Sequence, residues 1–386
     1  MPNPLRELGR LGQSPWYDSL RRSMLLTGEL ARLIEDDGLT GLTTNPAIYE
    51  KAIAGGHDYD ADLASLGSRR DLDAKGLYEL LAIQDIRAAA DLLRPVYDRS
   101  AGQDGYVSLE VSPDLAGDAD GTVAEARRLW RALDRENVLV KVPGTPEAVP
   151  AIRSLLTEGV NVNVTLIFSR KAYARVAEAH LAALEERAAR GLDLSRVASV
   201  ASFFVSRVDG AVDALLEQRV DRAASPRERA RAEALLGKAG IANAKLAYQD
   251  WRALSASARW ARVAALGAMP QRLLWASTST KSPRYRDVLY VEELIGPQTV
   301  NTMPPATFDA FRDHGRVSLT LESDLGAARA ALAELQALGI SLDRVTARLL
   351  ADGIRLFQEP FRKLLAAVEA RRGQAAAAEG ARASPA

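Results

Sequence analysis

The stretch NVLVKVPGT (137–145) places a lysine near the end of what reads as a buried β-strand. Side chains alternate between the two faces of a strand, so the three valines share one face, and Leu139 and Lys141 share the other. An unpaired buried charge is costly. Lys141 therefore either reaches water or is used by the protein, and its neighbours in the fold decide between the two.

Seven other runs of strand length recur along the chain, and the segments between them have the spacing of helices. Strands that alternate with helices form a parallel sheet, and eight such units close a barrel. We therefore predict an α/β fold with a single (β/α)8 TIM barrel. A doubly wound open sheet is the rival, but no strand is followed by a glycine-rich dinucleotide motif. The predicted strands are WYDSL (16–20), LTGLTTN (39–45), YVSLEVS (106–112), VLVKVPG (138–144), VNVNVTLIF (160–168), SVASFFVS (199–206), RLLWAST (272–278) and QTVNTMP (298–304).

The segments outside the barrel units carry predictions of their own. The N-terminal arm before Trp16 should be helical and pack over the barrel, and extra helices should fill residues 210–268, between strands six and seven. After strand four, Thr145 is predicted to cap a helix whose first residue is Pro146.

Length and composition bound the class of protein. Although 386 residues exceed the usual size of one domain, α/β barrels often do so, and we expect one barrel domain over 1–372. The low-complexity tail over 373–386 should be disordered. With 50 basic and 50 acidic residues, the chain gives no electrostatic reason to expect nucleic acid or an anionic membrane as partner.

The absence of cysteine excludes disulfides and thiolate zinc sites. The N-terminus has no signal-peptide pattern, and no run of apolar residues is long enough to cross a membrane. We therefore expect a soluble cytoplasmic protein.

Strand parity brings polar side chains together in the barrel lumen. On strands three, four and five the apolar residues of one parity should face the helices, which leaves Glu110, Lys141, Asn163 and Thr165 facing inward. Active sites of such barrels lie at the carboxyl ends of the strands, and these residues sit towards those ends. The alternatives are a buried ion pair without chemistry and polar side chains that only satisfy hydrogen bonds. A cluster on successive strands favours a site.

Other strands add to this cluster. Asn45 ends strand two, where the following Pro46 biases it to an extended conformation. Strand six places Ser202 and Phe204 on one face, and Asp18 lies in the middle of strand one. Asp18 alone is a weak signal, because a carboxylate near a chain start is usually part of a turn or a helix cap.

A lysine amine in this setting suits Schiff-base chemistry. A neutral amine attacks a carbonyl carbon, and desolvation by apolar walls favours the neutral form. The Schiff base on Lys141 would be an electron sink for breaking or making a C–C bond. Asp18 can be the base for a substrate hydroxyl, while Glu110 and Thr165 can hold and activate water. The asparagines of the cluster can hold sugar hydroxyls.

The chain has few residues that could support catalysis by histidine or by a metal ion. The three histidines, His57, His180 and His314, fall in predicted loops or helices and are expected to be ordinary surface residues. A histidine triad, a hydride-transfer histidine or a multi-histidine metal site is therefore not expected. We predict no metal or organic cofactor, since the lysine itself is the electron sink.

The loop after strand seven, WASTSTKSPRYRD (275–287), is a candidate phosphate site. In barrels the loops after strands seven and eight often bind phosphate. Ser277 and Lys281 supply a hydroxyl and a cation there, and Arg207, just past strand six, could add a bidentate contact. A serine-rich turn on its own is commonly just a turn, so this site is predicted from its position.

With these residues in hand, the chain resembles the transaldolases of the pentose phosphate pathway, in the longer bacterial form with an extended N-terminal arm. The resemblance covers nearly the whole chain except the tail, and its TTNP and VKVPGT segments are specific in combination. The segments that carry it are SPWYDSLRR, GLTTNPAIYEKAI, VSLEVSP, VLVKVPGTPEAVPAI, GVNVNVTLIFS, VASFFVSRVD, LLWASTSTKSP and YVEELIGPQTVNTMP.

The resemblance implies roles for individual residues. It makes Lys141 the Schiff-base residue, Asp18 the general acid/base, and Glu110 and Thr165 the residues on the catalytic water. Many shorter members carry an arginine in the phosphate loop where this chain has STSTK, and a lysine is a point charge where an arginine is a fork. The implied substrate-binding residues are Thr43, Asn45, Asn163, Ser202, Phe204, Arg207, Ser277 and Lys281.

The implied reaction is reversible transfer of a dihydroxyacetone unit. The donors are sedoheptulose 7-phosphate and fructose 6-phosphate, and the acceptors are glyceraldehyde 3-phosphate and erythrose 4-phosphate. The alternative is an aldolase of the fructose 6-phosphate type, which uses the same lysine and releases free dihydroxyacetone. The partners are therefore sugar-phosphate substrates, and amphipathic barrel helices allow a homodimer without requiring one.

Two further alternatives fit the residues less well. A barrel that binds sugar phosphates without turnover would not need Lys141, Glu110 and Asp18 together. A barrel like the glycolytic isomerase would need a carboxylate at the end of strand six, where this chain has FFVSR (203–207).

Overall fold

The chain folds into a closed barrel of eight parallel strands. The computed structural model describes residues 3–66, 69 and 71–383, with side chains described as far as Arg372. The strands are β1 (Gln13–Tyr17), β2 (Gly41–Thr43), β3 (Tyr106–Glu110), β4 (Val138–Pro143), β5 (Val162–Ile167), β6 (Ser199–Phe204), β7 (Arg272–Ala276) and β8 (Thr299–Met303). Each strand pairs with the next one in sequence, and β8 pairs with β1. The predicted (β/α)8 fold is confirmed.

Helices surround the barrel and follow its strands. They are α1 (Pro4–Arg10), α2 (Arg22–Leu26), α3 (Glu29–Asp37), α4 (Pro46–Gly55), α5 (Asp60–Leu66), α6 (Ala74–Arg99), α7 (Ala119–Leu133), α8 (Val149–Glu158), α9 (Arg170–Ala189), α10 (Ser206–Asp221), α11 (Pro226–Glu233), α12 (Ala239–Ser255), α13 (Ala258–Ala264), α14 (Leu289–Glu292), α15 (Pro305–His314), α16 (Leu325–Ala337) and α17 (Leu342–Ala383). A short 3₁₀ turn spans Pro113–Leu115. Helices α10 to α13 fill the predicted excursion between β6 and β7. The arm forms α1, and Leu5 and Leu8 are fully buried in the same apolar cluster as the barrel strands.

The apolar core has two clusters, and the residues of β4 alternate between them. The three valines of β4 lie in the layer between barrel and helices. Leu139 lies in the lumen cluster with Trp16, Leu274 and Val300. This partition confirms the predicted parity. A shift of one residue in the register of β4 would move Lys141 from the lumen into the apolar layer, so the valines fix where the lysine points.

A polar cluster fills the lumen at the amino ends of the strands. Arg272 Nη2 lies 3.1 Å from Asp104 Oδ1, and both side chains are nearly buried. Arg272 Nη1 donates a hydrogen bond of 2.8 Å to Ser14 Oγ, and Trp16 Nε1 donates one of 2.9 Å to Asp104 Oδ1. We call these four residues the amino-end plug. Hydrogen bonds from several directions compensate the cost of burying this ion pair.

The last helix, α17, crosses the other end of the barrel. It packs against α4, which follows β2, and against α10, which follows β6. Strands two and six stand opposite each other in an eight-stranded barrel, so a helix that contacts both neighbourhoods spans the opening. It also packs against β5. The carboxyl ends of the strands are therefore covered by the C-terminal helix.

Two local predictions were wrong. The helix after β4 begins at Val149 rather than at Pro146. Thr145 instead closes a preceding turn: its hydroxyl accepts a hydrogen bond from Ala148 N and donates one to Ala116 O. His180 is not a surface residue: it is buried in α9 beside Trp260, and burial lowers its pKa to about 4. The outer helices of the 210–268 excursion cover it.

Among the described residues, no helix is both long and apolar enough to cross a membrane. The last helix is assigned as far as Ala383, but the side chains of 373–383 and the residues 384–386 lie outside the described part of the chain. The predicted disordered tail, and with it the domain boundary at residue 372, stays a prediction.

Candidate active site

Three adjacent strands place their polar side chains side by side. The register pairs Glu110 on β3 with Lys141 on β4, and Lys141 with Asn163 on β5. Thr165 follows two residues after Asn163 and pairs with Pro143, one step nearer the carboxyl end. The structure thus brings the four predicted lumen residues together at the expected end of the barrel.

The Lys141 amine is buried and has two oxygen neighbours. Its side chain and that of Glu110 are each only 6% exposed, and Lys141 Nζ lies 3.5 Å from Glu110 Oε2. The amine donates its hydrogen bond to the Thr44 carbonyl oxygen, at 3.1 Å. Lys141 therefore does not reach water freely, and its contact with Glu110 is longer than the hydrogen bonds of a tight ion pair.

Glu110 and Thr165 each keep a buried oxygen without a hydrogen bond to any described residue. These atoms are Glu110 Oε2 and Thr165 Oγ1. Desolvation raises the pKa of Glu110 to about 7, although the positive charge of Lys141 opposes the shift. A carboxyl group with this pKa both accepts and donates protons near neutral pH, as general acid–base catalysis requires.

Asp18 lies just past the end of β1, rather than in the middle of the first strand as predicted. This position suits a site better, because the carboxyl end of the strand is where the lumen opens. Thr43 Oγ1 donates a 2.7 Å hydrogen bond to Asp18 Oδ1 and lies 2.7 Å from Thr302 Oγ1. Desolvation raises the pKa of Asp18, opposed by the charge of Lys141 and by the hydrogen bond from Thr43.

The amide of Asn163 is held on both sides. Ser202 Oγ donates to Asn163 Oδ1 at 2.7 Å, and Asn163 Nδ2 donates to Ser108 Oγ at 3.0 Å. Asn45 lies two residues beyond β2, in the extended conformation expected before Pro46. Its side chain accepts a hydrogen bond from Ile48 N and so caps α4. Asn45 therefore has a structural role, and its role in substrate binding stays a prediction.

The predicted phosphate residues gather around the start of α10. Ser277, at the end of β7, lies 2.8 Å from Ser206 through their hydroxyl oxygens. The guanidinium of Arg207 packs over the Phe204 ring, with 5.3 Å between Cζ and the ring centroid. Arg207 Nη1 is buried and donates to none of the described residues. Lys281 Nζ donates a 2.9 Å hydrogen bond to Ser279 Oγ.

Cationic side chains of this region lie near one another, so their repulsion would favour a bound anion. Desolvation lowers the pKa of Lys281, and the nearby charges of Arg207 and Lys51 lower it further. Desolvation also lowers the pKa of Arg207, which Asp18 partly offsets. Among the described residues Arg207 forms no ion pair within hydrogen-bonding distance. In the first turn of α10 most backbone N–H groups are already bonded, Ser206 N to Ser277 O and Val208 N to Val205 O, so the side chains supply the attraction for a phosphate.

Four residues that lie beside the predicted site residues were not themselves predicted as site residues: Ser108, Thr302, Lys51 and Phe357. Strand parity does place Ser108 on the lumen face with Glu110, although nothing in the sequence singles it out as a site residue, and the same parity could have found Thr302. Lys51 lies on α4, five residues after Pro46, where helical spacing alone does not separate it from surface lysines. Phe357 lies on α17, far along the chain, with no strand pattern near it.

Among the described residues, no group of three or more His, Asp or Glu side chains is placed to hold a metal ion. The arrangement supplies a buried amine, two carboxyl groups with raised pKa values and a cationic rim, which consists of Lys51, Arg207 and Lys281. It can form an imine, move protons on either side of it and hold an anion some distance away.

Comparisons with known proteins give the family of the chain. The family model for transaldolase/fructose-6-phosphate aldolase matches residues 15–368. A transaldolase of Thiobacillus denitrificans is 49% identical over 366 residues, covering 95% of this chain and 99% of the relative. A transaldolase of Trichodesmium erythraeum is 46% identical, and transaldolase 2 of Nostoc punctiforme is 48% identical, each over 95% of this chain and 97% of its own length. The chain belongs to the transaldolase/fructose-6-phosphate aldolase family.

Proposed function

We propose that the protein is a transaldolase of the pentose phosphate pathway. It moves a dihydroxyacetone unit from sedoheptulose 7-phosphate or fructose 6-phosphate to glyceraldehyde 3-phosphate or erythrose 4-phosphate. The observation that carries the proposal is the buried Lys141 amine, which faces Glu110 from the neighbouring strand within a lumen that also holds Asp18. The names of the relatives support the same activity.

The first half of the reaction forms and uses the imine. The neutral Lys141 amine attacks the ketone carbon of the donor, and Glu110 donates the proton with which the hydroxyl leaves as water. Asp18 then takes the proton from the hydroxyl two carbons away. The bond between the carbon that bears this hydroxyl and the carbon next to the imine carbon breaks, and the aldehyde leaves. The electron pair of that bond forms the C=C bond of an enamine, and the imine nitrogen keeps the electron pair of its C=N bond.

The second half runs the same steps in reverse with another aldehyde. The enamine carbon attacks the acceptor carbonyl, and Asp18 returns its proton to the new hydroxyl. A water molecule bonded to Glu110 Oε2 and Thr165 Oγ1 would satisfy both unpartnered oxygens and attack the imine carbon. The doubly held amide of Asn163 is oriented to bind a hydroxyl of the three-carbon unit.

Specificity for phosphorylated sugars is assigned to the cationic rim. Arg207 and Lys281 lie at the start of α10 and in the loop after β7, with the Ser277 hydroxyl between these two segments. Charge-assisted hydrogen bonds to phosphate oxygens would relieve the mutual repulsion of the cations. The unpartnered Nη1 of Arg207 is the strongest support for this assignment.

Trapping with borohydride tests the proposal. The protein is incubated with fructose 6-phosphate, reduced and digested, and the added mass is located by spectrometry. We expect one adduct, on Lys141, and none in the Lys141→Arg variant, which keeps the charge but forms no imine. No adduct in the wild type, or an adduct on another lysine, would refute the proposal and leave Lys141 as a structural ion pair.

The aldolase alternative uses the same adduct, so an acceptor titration separates the two. A transaldolase turns over fructose 6-phosphate rapidly only when erythrose 4-phosphate is added. An aldolase releases dihydroxyacetone at the same rate without it. The proposal also places the enzyme in the cytoplasm, where charged sugar phosphates are retained. A homodimer stays a prediction that light scattering would test.

A further inference from the structure

The C-terminal helix places an aromatic ring over the reactive amine. The centroid of the Phe357 ring lies 5.7 Å from Lys141 Nζ. Phe357 is itself only 7% exposed and belongs to the same apolar cluster as Leu139, Phe168 and Phe204, which continues from the lumen into the helices. The amine therefore meets oxygen atoms on the strand side and an apolar surface on the side of the opening.

Two local features bring α17 this close to the strands. Gly353, one turn before Phe357, has no side chain, and a Cβ there would lie 3.1 Å from Leu166 Cδ2. Leu166 adopts a left-handed conformation, with φ 60°, where the register of β5 shifts against β6. A bulge of this kind re-aims a side chain, and Leu166 joins the lumen cluster beneath α17. The placement of Phe357 is thus built into both elements.

We propose that Phe357 is a positioning residue that retains the dihydroxyacetone unit on Lys141 until an acceptor arrives. This inference rests on the proposed transaldolase function and names the residue that sets the balance between transfer and hydrolysis. Once the first aldehyde has left, the three-carbon enamine fills only part of the site. The ring of Phe357 then separates the enamine from solvent at the opening.

Loss of the three-carbon unit at this stage needs a proton on the enamine carbon, which water at the opening supplies, whereas the water held by Glu110 and Thr165 attacks only the imine. A proton from water bonds to the enamine carbon, and the nitrogen electron pair forms the C=N bond of the imine. The remaining hydroxide attacks the imine carbon, and the C–N bond then breaks. The amine keeps the electron pair and takes the hydroxyl proton, so that enamine and water give dihydroxyacetone and free lysine. An apolar cover withholds the water that starts this sequence, whereas an acceptor aldehyde needs no such proton on carbon.

The test compares two phenylalanines of the same helix. Phe361 lies one turn after Phe357, is 4% exposed and packs against Tyr78, with 6.0 Å between the ring centroids. Phe357→Ala and Phe361→Ala therefore remove the same group from α17, but only the first uncovers Lys141. For each protein we would measure the release of dihydroxyacetone from fructose 6-phosphate alone and the transfer rate with erythrose 4-phosphate.

A second readout is the lifetime of the adduct. The donor is removed on a desalting column, borohydride is added after increasing delays, and the labelled fraction is followed by mass spectrometry. We expect Phe357→Ala to raise the ratio of hydrolysis to transfer about tenfold and to shorten the adduct lifetime, since water gains access to the enamine. Phe361→Ala should leave both quantities near wild type, and Phe357→Leu should give values between those of the wild type and of Phe357→Ala.

The outcomes separate this inference from the function on which it rests. An unchanged ratio in Phe357→Ala, or equal changes in Phe357→Ala and Phe361→Ala, would overturn the inference while the wild-type adduct on Lys141 still supports a transaldolase. If Phe357→Ala fails to fold, Phe357→Leu decides, because the smaller side chain should still give a measurably shorter adduct lifetime; an unchanged lifetime would overturn the inference. No adduct in the wild type would overturn both.

Discussion

The raised pKa of Glu110 predicts how the transfer rate depends on pH. Burial raises this pKa to about 7, and the charge of Lys141 only partly opposes the shift. Where the attack of water on the imine limits turnover, the ionised carboxylate is the form that is needed, because it takes a proton from that water. The rate should then fall as the pH drops below 7. At pH 6 about a tenth of the molecules carry an ionised Glu110, so kcat should be about tenfold lower than at pH 8.

The assay is kcat at saturating fructose 6-phosphate and erythrose 4-phosphate between about pH 5.5 and pH 8.5. The phosphate groups of the substrates also titrate near pH 6. Glu110→Gln is therefore the essential comparison, since the substrate contribution persists in this variant while that of Glu110 is lost. The pKa of Asp18 is also raised by burial. The residual kcat of Asp18→Asn should still decrease at low pH, because Glu110 is intact in this variant. The reasoning would be refuted if kcat of the wild type were the same at pH 8 and pH 6, or if kcat of Glu110→Gln decreased at low pH as much as that of the wild type.

Three further substitutions test separate parts of the molecule. Lys141→Ala should abolish transfer while leaving the Tm near that of the wild type, and residual activity above about 1% would contradict its role as nucleophile. Lys281→Ala should raise KM for phosphorylated substrates far more than for unphosphorylated ones; equal effects would place Lys281 outside the phosphate site. Asp104→Ala should lower the free energy of unfolding in urea by about 3–5 kcal/mol, because it leaves Arg272 buried without its partner. The matched control is the exposed Asp114, which pairs loosely with Arg362 at 3.9 Å, so Asp114→Ala should cost less than about 0.5 kcal/mol.

The barrel was predictable because its signals are local and repeated. Seven of the eight strands are five or six residues long, which is enough to show a pattern, and parity then predicts which side chains share the lumen. Glu110, Lys141 and Asn163 could be placed together in this way, since neighbouring parallel strands keep one register. The same logic could not give the end of the first strand, because Asp18 and the residues after it continue an apparently strand-like pattern.

Helix starts and long-range packing were harder to predict. Thr145 and Pro146 match the pattern of a helix cap. The hydroxyl of Thr145, however, donates a hydrogen bond to Ala116 O, and residues 145–148 form a turn before the helix begins at Val149. The burial of His180 could not be predicted, because the sequence of its own helix does not indicate which other helix packs against it. Phe357 is separated from Lys141 by most of the chain, so only the completed fold brings the ring and the amine together.

The amino-end plug has a consequence for the order of events in catalysis. Arg272 and Asp104 close one end of the lumen, and the cavity beside Arg272 has a volume of only about 30 Å³, roughly the share of one water molecule in the liquid. No sugar phosphate can pass there, so every substrate and product uses the opposite opening. The aldehyde released from the donor must leave before an acceptor takes its place. Double-reciprocal plots at several fixed acceptor concentrations should therefore be parallel lines, the pattern of a ping-pong mechanism.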